Sequence, residues 1–156
     1  MSVTYIRAGL RRLVIQRADY LCEYCLLHED DMLFGGEVDH IVSEKHGGLT
    51  QAANLAYACF PCNRNKGNDI GSLTPTDGTL VPFFTPRKDR WYTHFRLDEP
   101  NGMRIEALTA VREATVRIFG LNESDRLLER RALQIVGRYP TPEARRRLSE
   151  SSAAIG

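Results

Sequence analysis

The stretch from Cys22 to Asn63 decides the fold: it reads CEYC at 22–25, VDHI at 38–41, NL at 54–55 and CFPCN at 59–63. Two residues between paired thiols let the backbone turn back, so that both sulfurs of a pair reach one tetrahedral ion. Two such pairs predict a structural zinc site with four thiolate ligands: Cys22, Cys25, Cys59 and Cys62. Redox-active dithiols are the alternative, but they do not explain two matched pairs.

The segment between the two cysteine pairs is longer than the usual zinc-ribbon gap of about 15–20 residues, so a folded insert is expected there. Alternating polar and apolar residues predict one strand over 37–41, and an apolar run predicts a return strand over 55–58. Pro61 then favours a short helix, because a proline at the first helical turn sacrifices no hydrogen bond. The predicted order is strand, loop, strand, helix.

The chain before this stretch is predicted to form a helix over about 4–18. It would pack on the motif through its apolar positions and leave a basic face in solvent, formed by Arg7, Arg11 and Arg12.

The chain after it begins with a Pro-, Thr- and Gly-rich segment over 71–88, which we interpret as a structured loop or linker. A second hairpin is predicted over about 95–105, followed by helices over about 109–119, over about 122–136 and from about 141.

Length and composition indicate one domain, residues 1–156, with a core motif at about 20–70 and a C-terminal hairpin and helices at about 80–150. The hydrophobic content of 42% and the charged content of 26% are ordinary for a globular protein. No apolar run is long enough to span a bilayer, and no secretory h-region is visible. We therefore expect a cytoplasmic location, where thiols stay reduced. The net charge of +1 neither supports nor excludes a nucleic-acid partner, and the oligomeric state is open.

The residues around the second half of the motif suit phosphodiester hydrolysis. Asp39 and Asn63 offer a carboxylate and an amide oxygen, the type of ligand that Mg²⁺ or Mn²⁺ prefers. His40 has a ring nitrogen whose ordinary pKa of about 6.5 suits a general base at neutral pH. Neighbouring residues on a strand point to opposite faces, so Asp39 and His40 share a site only if the strand ends or twists there.

The four quoted segments, extended by GGLTQAANL at 47–55, resemble the HNH endonucleases, the ββα-metal or His-Me finger family. The subgroup with a four-cysteine structural zinc is the most similar. The resemblance implies an α+β fold and a metal-dependent endonuclease that cuts DNA. It further implies that His40 is the general base, that Asp39 and Asn63 hold the catalytic divalent ion, and that Asn54 orients the loop and the base. The third letter of the motif is Asn63 here, where the family name has His.

Several basic residues are candidates for nucleic-acid contact. Arg64 and Lys66 lie one turn from the expected ion and either touch flanking phosphates or form a solvated helix face. Arg87, Lys88 and Arg90 stand beside Trp91 in the most basic and aromatic segment of the chain, which suits backbone binding. In the alternative, the aromatic residues anchor the extension to the core while the charges stay in water.

Three questions stay open at the sequence level. The substrate is DNA in our interpretation, but RNA is not separated from it. His94 is a packed residue, a phosphate contact or a further metal ligand. A zinc-stabilised module that binds nucleic acid without cutting it is the alternative function, and a protein-interaction adaptor is a weaker one.

Overall fold

The computed structural model describes residues 4–149, which form an α+β fold with three two-stranded antiparallel sheets among the residues described. The helices and strands in chain order are α1 (Ala8–Arg17), β1 (Gly36–His40), β2 (Leu55–Cys59), α2 (Phe60–Lys66), β3 (Gly71–Leu73), β4 (Leu80–Pro82), α3 (Trp91–His94), β5 (Phe95–Asp98), β6 (Arg104–Ala107), α4 (Ala110–Ile118), α5 (Ser124–Ile135) and α6 (Pro142–Arg147).

The predicted strand–loop–strand–helix unit is confirmed as β1, β2 and α2. The two strands pair antiparallel, with Gly36 opposite Cys59 and His40 opposite Leu55. Every residue of β2 is buried, so this strand forms the floor of the unit. The helix α2 starts directly at the end of β2, with Pro61 in its first turn. Since no loop separates β2 from α2, the second cysteine pair and Asn63 are held by the same rigid corner.

The predicted N-terminal helix is shorter than expected, because it begins at Ala8 rather than near Thr4. Arg7 precedes it in an extended conformation, and no side chain caps the first turn. The helix packs on the central unit through Val14, which is fully buried. Arg17 fixes its other end by donating hydrogen bonds of 2.6 Å and 2.7 Å to two backbone carbonyls beside β2.

The segment over 71–88 was expected to be a loop or linker, but part of it forms the β3–β4 hairpin. The turn between the strands is closed by side chains, since Asp77 accepts a hydrogen bond from Thr74 and another from the backbone of Thr79. Such short polar loops let a Pro- and Gly-rich sequence pair without long apolar strands.

The C-terminal extension, residues 80–149, closes the core over the cysteine-rich unit. Its buried aromatic residues, Phe83, Phe84, Trp91, Phe95, Phe119 and Tyr139, join one cluster with the cysteines and β2. Trp91 donates its indole N–H to the carbonyl of Tyr24 at 2.9 Å. The predicted helix starts near 109 and 141 are confirmed, because Thr109 and Thr141 each accept a backbone N–H at the start of α4 and α6. Within residues 4–149, no helix has the length and apolar character needed to cross a membrane.

Candidate active site and zinc site

The four cysteines form a compact buried cluster. Their sulfur atoms all lie within 4.8 Å of one another, and Cys25 Sγ lies 3.7 Å from Cys59 Sγ. A tetrahedron with zinc–sulfur bonds of about 2.3 Å has sulfur–sulfur edges of about 3.8 Å. The spacing of the thiols therefore fits a structural zinc ion, as the sequence predicted.

The electrostatics of this cluster also call for a cation. Burial is the main cause that raises the pKa of the Cys22 thiol far above its ordinary value. Contacts with the other thiols, chiefly Cys22, raise the pKa of Cys59 and lower that of Cys25. Four buried thiols thus cannot all become thiolates by themselves, and a divalent ion supplies the missing positive charge.

One further cation reaches the cluster from α5. Arg126 is 5% exposed, and its Nη2 lies 3.1 Å from Cys62 Sγ and 3.6 Å from Cys59 Sγ. Burial alone would lower its pKa, but the negative charge of Cys62 and its neighbours outweighs this and raises the pKa. This contact was not predicted, because Arg126 and the cysteines are far apart in the chain.

The three residues proposed for catalysis meet at one cavity. Asp39, His40 and Asn63 line an open cavity of about 490 Å³ between β1 and α2. His40 is the last residue of β1, so the alternation of the strand stops at this point and both neighbours reach the same cavity. The cavity offers one carboxylate and one amide oxygen beside an imidazole, a donor set that suits a hard divalent ion.

The imidazole of His40 is held by two residues that the sequence analysis did not single out. His40 Nε2 lies 2.8 Å from Thr50 Oγ1, and Thr50 donates its hydroxyl proton to Glu44 Oε1 at 3.2 Å. A hydroxyl has one proton, so Thr50 accepts from His40 Nε2–H. This arrangement leaves Nδ1 as the unprotonated nitrogen of a neutral His40, which is the nitrogen that can take a proton.

The loop between β1 and β2 is fixed by Asn54. Its side chain accepts from the backbone N–H of Val42 and donates to the carbonyls of Val42 and Leu49, each at 2.9 Å. Gly48 makes this closure possible, because a Cβ there would lie 1.7 Å from the Val42 carbonyl oxygen. Asn54 thus orients the loop that carries Glu44 and Thr50, and its backbone carbonyl also accepts from Ile41 N–H, next to His40.

The central part of the chain matches a known protein family. Residues 22–69 match the HNH endonuclease family. The match begins at the first zinc cysteine and ends at Asp69, before the C-terminal extension. No curated protein and no solved structure matches the chain.

Lys66, in the matched HNH segment, points into the protein. Its sequence position had suggested a solvated helix face or a contact with substrate phosphates. It is 3% exposed, and its Nζ donates to the His40 carbonyl oxygen at 2.9 Å and lies 3.5 Å from Asp39 Oδ2. Burial lowers its pKa, and the Asp39 carboxylate opposes that shift. Lys66 therefore ties α2 to the end of β1, which leaves Asp39 Oδ1 as the carboxylate oxygen available to an ion.

Two exposed arginines border the HNH cavity. Arg64 is on α2, as expected, and its guanidinium carbon lies 5.3 Å from the centre of the Phe60 ring. Arg11 comes from α1 and lines the same cavity as Asp39 and Asn63. From the sequence, α1 was expected to pack with a solvated basic face, so the position of Arg11 at the cavity was missed. The spacing of the arginines along α1 shows that they share a face, but it does not show which part of the protein that face contacts.

The basic segment over 87–90 divides into a buried part and an exposed part. Arg87 donates a hydrogen bond to Glu23, a carboxylate in the first cysteine pair that is 6% exposed. This partner makes Arg87 an internal ion pair rather than a surface contact for nucleic acid. Lys88 and Arg90 are exposed. Arg90 lines a cleft of about 630 Å³ that also contains Arg146 and Arg147.

His94 belongs to a structural network outside the HNH unit. Its Nδ1 accepts from Arg112 Nε at 3.1 Å, and its Nε2 lies 3.5 Å from Asp89 Oδ1. Arg112 also donates to Asp89 Oδ2 at 3.1 Å. Partial burial, followed by the charge of Arg112, lowers the pKa of His94. Since both ring nitrogens have partners, the packed alternative fits best.

Proposed function

We propose that this chain is a metal-dependent HNH endonuclease that hydrolyses phosphodiester bonds in DNA. The observation that carries the proposal is that Asp39, His40 and Asn63 line one cavity, with His40 held by Thr50 through Nε2. In this proposal the whole chain, residues 1–156, acts as one domain in the cytoplasm. We expect its four thiols to bind structural zinc in that reducing compartment.

Asp39 and Asn63 would hold a Mg²⁺ or Mn²⁺ ion through their side-chain oxygens. When bound, such an ion neutralises charge on the phosphoryl oxygens and stabilises the leaving oxygen. Lys66 occupies Asp39 Oδ2, so the carboxylate is held in position before an ion arrives.

His40 would act as the general base. A water placed beside Nδ1 gives its proton to the imidazole as its oxygen forms a bond to phosphorus. The bond between phosphorus and the leaving 3′-oxygen breaks, and that oxygen takes a proton from solvent. The products are a 5′-phosphate and a 3′-hydroxyl, the usual outcome in the family. The imidazolium formed in this step is stabilised by the chain of Thr50 and Glu44, since Glu44 Oε1 lies 3.7 Å from His40 Nε2. The proton then leaves to solvent.

The basic residues near the cavity would bind the substrate backbone. Arg11 and Arg64 lie at the cavity and are the best placed to contact phosphates next to the cut. Lys88 and Arg90 are exposed and remain candidates for contacts further along the strand. Lys66 and Arg87 are not included, because their charges are used inside the protein.

The test is plasmid nicking by zinc-loaded protein with Mg²⁺ or Mn²⁺, with EDTA as the control. We expect His40→Ala to lower the rate by about 10²–10⁴-fold, the usual contribution of a general base, while zinc content and circular dichroism stay unchanged. His46→Ala is the matched control, because His46 is an exposed histidine of the same loop. An active His40→Ala protein would refute the assignment.

A module that binds nucleic acid without cutting it is the second candidate. The observation that favours it is the Lys66 ammonium 3.5 Å from Asp39 Oδ2, which balances the carboxylate charge without any divalent ion. Binding of the plasmid in a gel-shift assay, with no conversion under Mg²⁺ or Mn²⁺, would support this candidate over the nuclease. Parallel single-stranded, duplex and RNA substrates separate DNA from RNA.

A further inference from the structure

Exposed apolar side chains stand at the edge of the candidate active site. Leu33 and Phe34 occupy the turn before β1 and are 83% and 72% exposed, and Phe60 at the start of α2 is 38% exposed. The turn closes through a hydrogen bond of 3.4 Å from Gly35 N–H to the Met32 carbonyl. These side chains gain little from burial in the fold, and a contiguous apolar patch of this kind indicates a contact with another molecule.

The aromatic rings are ordered relative to each other and to a cation. The centres of Phe34 and Phe60 lie 5.2 Å apart with their planes at 60°, and Arg64 lies over the Phe60 ring. Asn63 and Arg64 come three and four residues after Phe60, so all three residues share one side of α2. The aromatic pair and the candidate catalytic residue Asn63 therefore lie on the same surface.

A second cavity, of about 340 Å³, opens beside this aromatic pair. Phe60 and Arg64 line both this cavity and the candidate catalytic cavity, so the two are adjacent along α2. Phe34, with its neighbours in the turn, forms its apolar wall. The volume is at the lower end of the range for small-ligand pockets, about 300–1,000 Å³.

The charges of the second cavity argue against an anion inside it. Asp125 and Glu129 also line this cavity, and the guanidinium of Arg126 is already engaged by the Cys62 sulfur. Arg64 is the remaining cation, and it stands at the boundary with the catalytic cavity. A flat, uncharged group with a phosphate attached at the Arg64 side satisfies both the apolar wall and the position of the cation.

We propose that this second cavity binds an unpaired nucleobase of the substrate, stacked on the exposed Phe34 ring with Phe60 beside it, next to the phosphodiester that is cut. The inference rests on the proposed nuclease function and names its substrate class: DNA with an unpaired base at the cleavage site. In a continuous duplex the base is stacked inside the helix and must be extruded at a cost before it can reach such a cavity. A single strand or a bulge presents the base without that cost.

The first experiment measures stacking without catalysis. A single-stranded oligodeoxynucleotide with one 2-aminopurine is titrated with the zinc-loaded full chain in EDTA-free buffer containing Ca²⁺, and its fluorescence is recorded. Stacking on an aromatic ring should quench the fluorescence. Phe34→Ala should remove the quenching and weaken binding by about fivefold to 150-fold, the range for one base–aromatic stack. Phe34→Trp should restore it, and Leu128→Ala is the matched control, because Leu128 is 62% exposed on α5.

The second experiment separates failure of this inference from failure of the proposed function. With Mg²⁺ or Mn²⁺, the wild-type chain should cut bulged or single-stranded DNA faster than duplex DNA, and Phe34→Ala should remove that preference. Equal cleavage of all substrates by both proteins would overturn the inference and leave the nuclease in place. Quenching that depends on Phe34, with no cleavage of any substrate, would overturn the nuclease and keep the base site. Absence of quenching, together with a Phe34-dependent dimer in sedimentation, would assign the patch to self-association instead.

Discussion

Replacement of Thr50 by valine tests how His40 is held. Valine keeps the shape of the side chain but removes the oxygen that accepts from His40 Nε2 at 2.8 Å. His40 is 6% exposed, so its Nε2–H would lose its partner without gaining water. Leaving such a buried donor unsatisfied costs about 1–3 kcal/mol, which shifts the tautomer population by about fivefold to 150-fold away from the form with a free Nδ1.

Glu44 limits the loss of activity expected for Thr50→Val. Its Oε1 lies 3.7 Å from His40 Nε2 and can accept a hydrogen bond from Nε2–H in place of Thr50. We therefore expect Thr50→Val alone to lower kcat by about fivefold to tenfold, near the lower limit for an unsatisfied donor. The double substitution Thr50→Val with Glu44→Ala should approach about 150-fold, the upper limit for such a group. KM should stay unchanged, because neither residue is proposed to contact the substrate.

The assay is cleavage of a fluorescently labelled oligonucleotide at saturating Mg²⁺, followed from pH 5.5 to pH 9. Thr50→Ser is the control, since it keeps the hydroxyl and should keep most of the activity. A role limited to loop stability would lower the melting temperature and leave the pH profile of kcat unchanged. Wild-type kcat in the double variant would refute the argument that Thr50 and Glu44 select the tautomer of His40.

Three further predictions concern the zinc site and the extension. Cys59→Ser should lose zinc and unfold, because metal binding supplies folding free energy here; colorimetric zinc release and circular dichroism check this. Arg126→Lys keeps the positive charge but removes the guanidinium group whose Nη2 lies 3.1 Å from Cys62 Sγ. The zinc affinity should therefore fall about 10- to 100-fold, as measured by competition with a chelator. The pKa of His94 is lowered from 6.5 in the fold, so the unfolded chain binds more protons below that pH, and the free energy of unfolding should fall as the pH drops below 6.5. His94→Gln should remove that slope in urea titrations, whereas His46→Gln should keep it.

The parts of the fold that depend on short spacing were predictable from the sequence. Each of these signals affects the backbone only a few residues away. They are the two-residue gap within each cysteine pair, the proline directly before Cys62, and the threonines before α4 and α6. Local geometry decides such features, so the clustering of the four cysteines, the ββα unit and both helix starts were confirmed. The same reasoning failed for β3 and β4, because each strand has only three residues, too few to show an alternating pattern.

The partners of the charged residues could not be predicted, because they come from distant positions in the chain. Arg87 pairs with Glu23, and the ammonium of Lys66 turns inward to the end of β1. A count of charges treats both as surface groups, whereas in the structure Arg87 neutralises the buried Glu23 carboxylate and Lys66 donates to the His40 carbonyl beside Asp39. A carboxylate inside a cysteine knuckle, as at Glu23, is the one local hint of an internal cation, since a buried acid requires a partner.

The C-terminal extension lies outside the matched residues 22–69 but supplies side chains that contact the cysteine tetrad. Arg126 contacts the sulfur of Cys62, and Tyr139 donates its hydroxyl to the carbonyl of Cys25 at 2.8 Å. One partner balances the charge of the thiolates, and the other fixes the backbone of the first cysteine pair. The tetrad in turn holds the corner between β2 and α2, from which Asn63 reaches the candidate catalytic cavity. The extension is therefore connected to the candidate active site through the cysteine tetrad, although neither Arg126 nor Tyr139 lines that cavity.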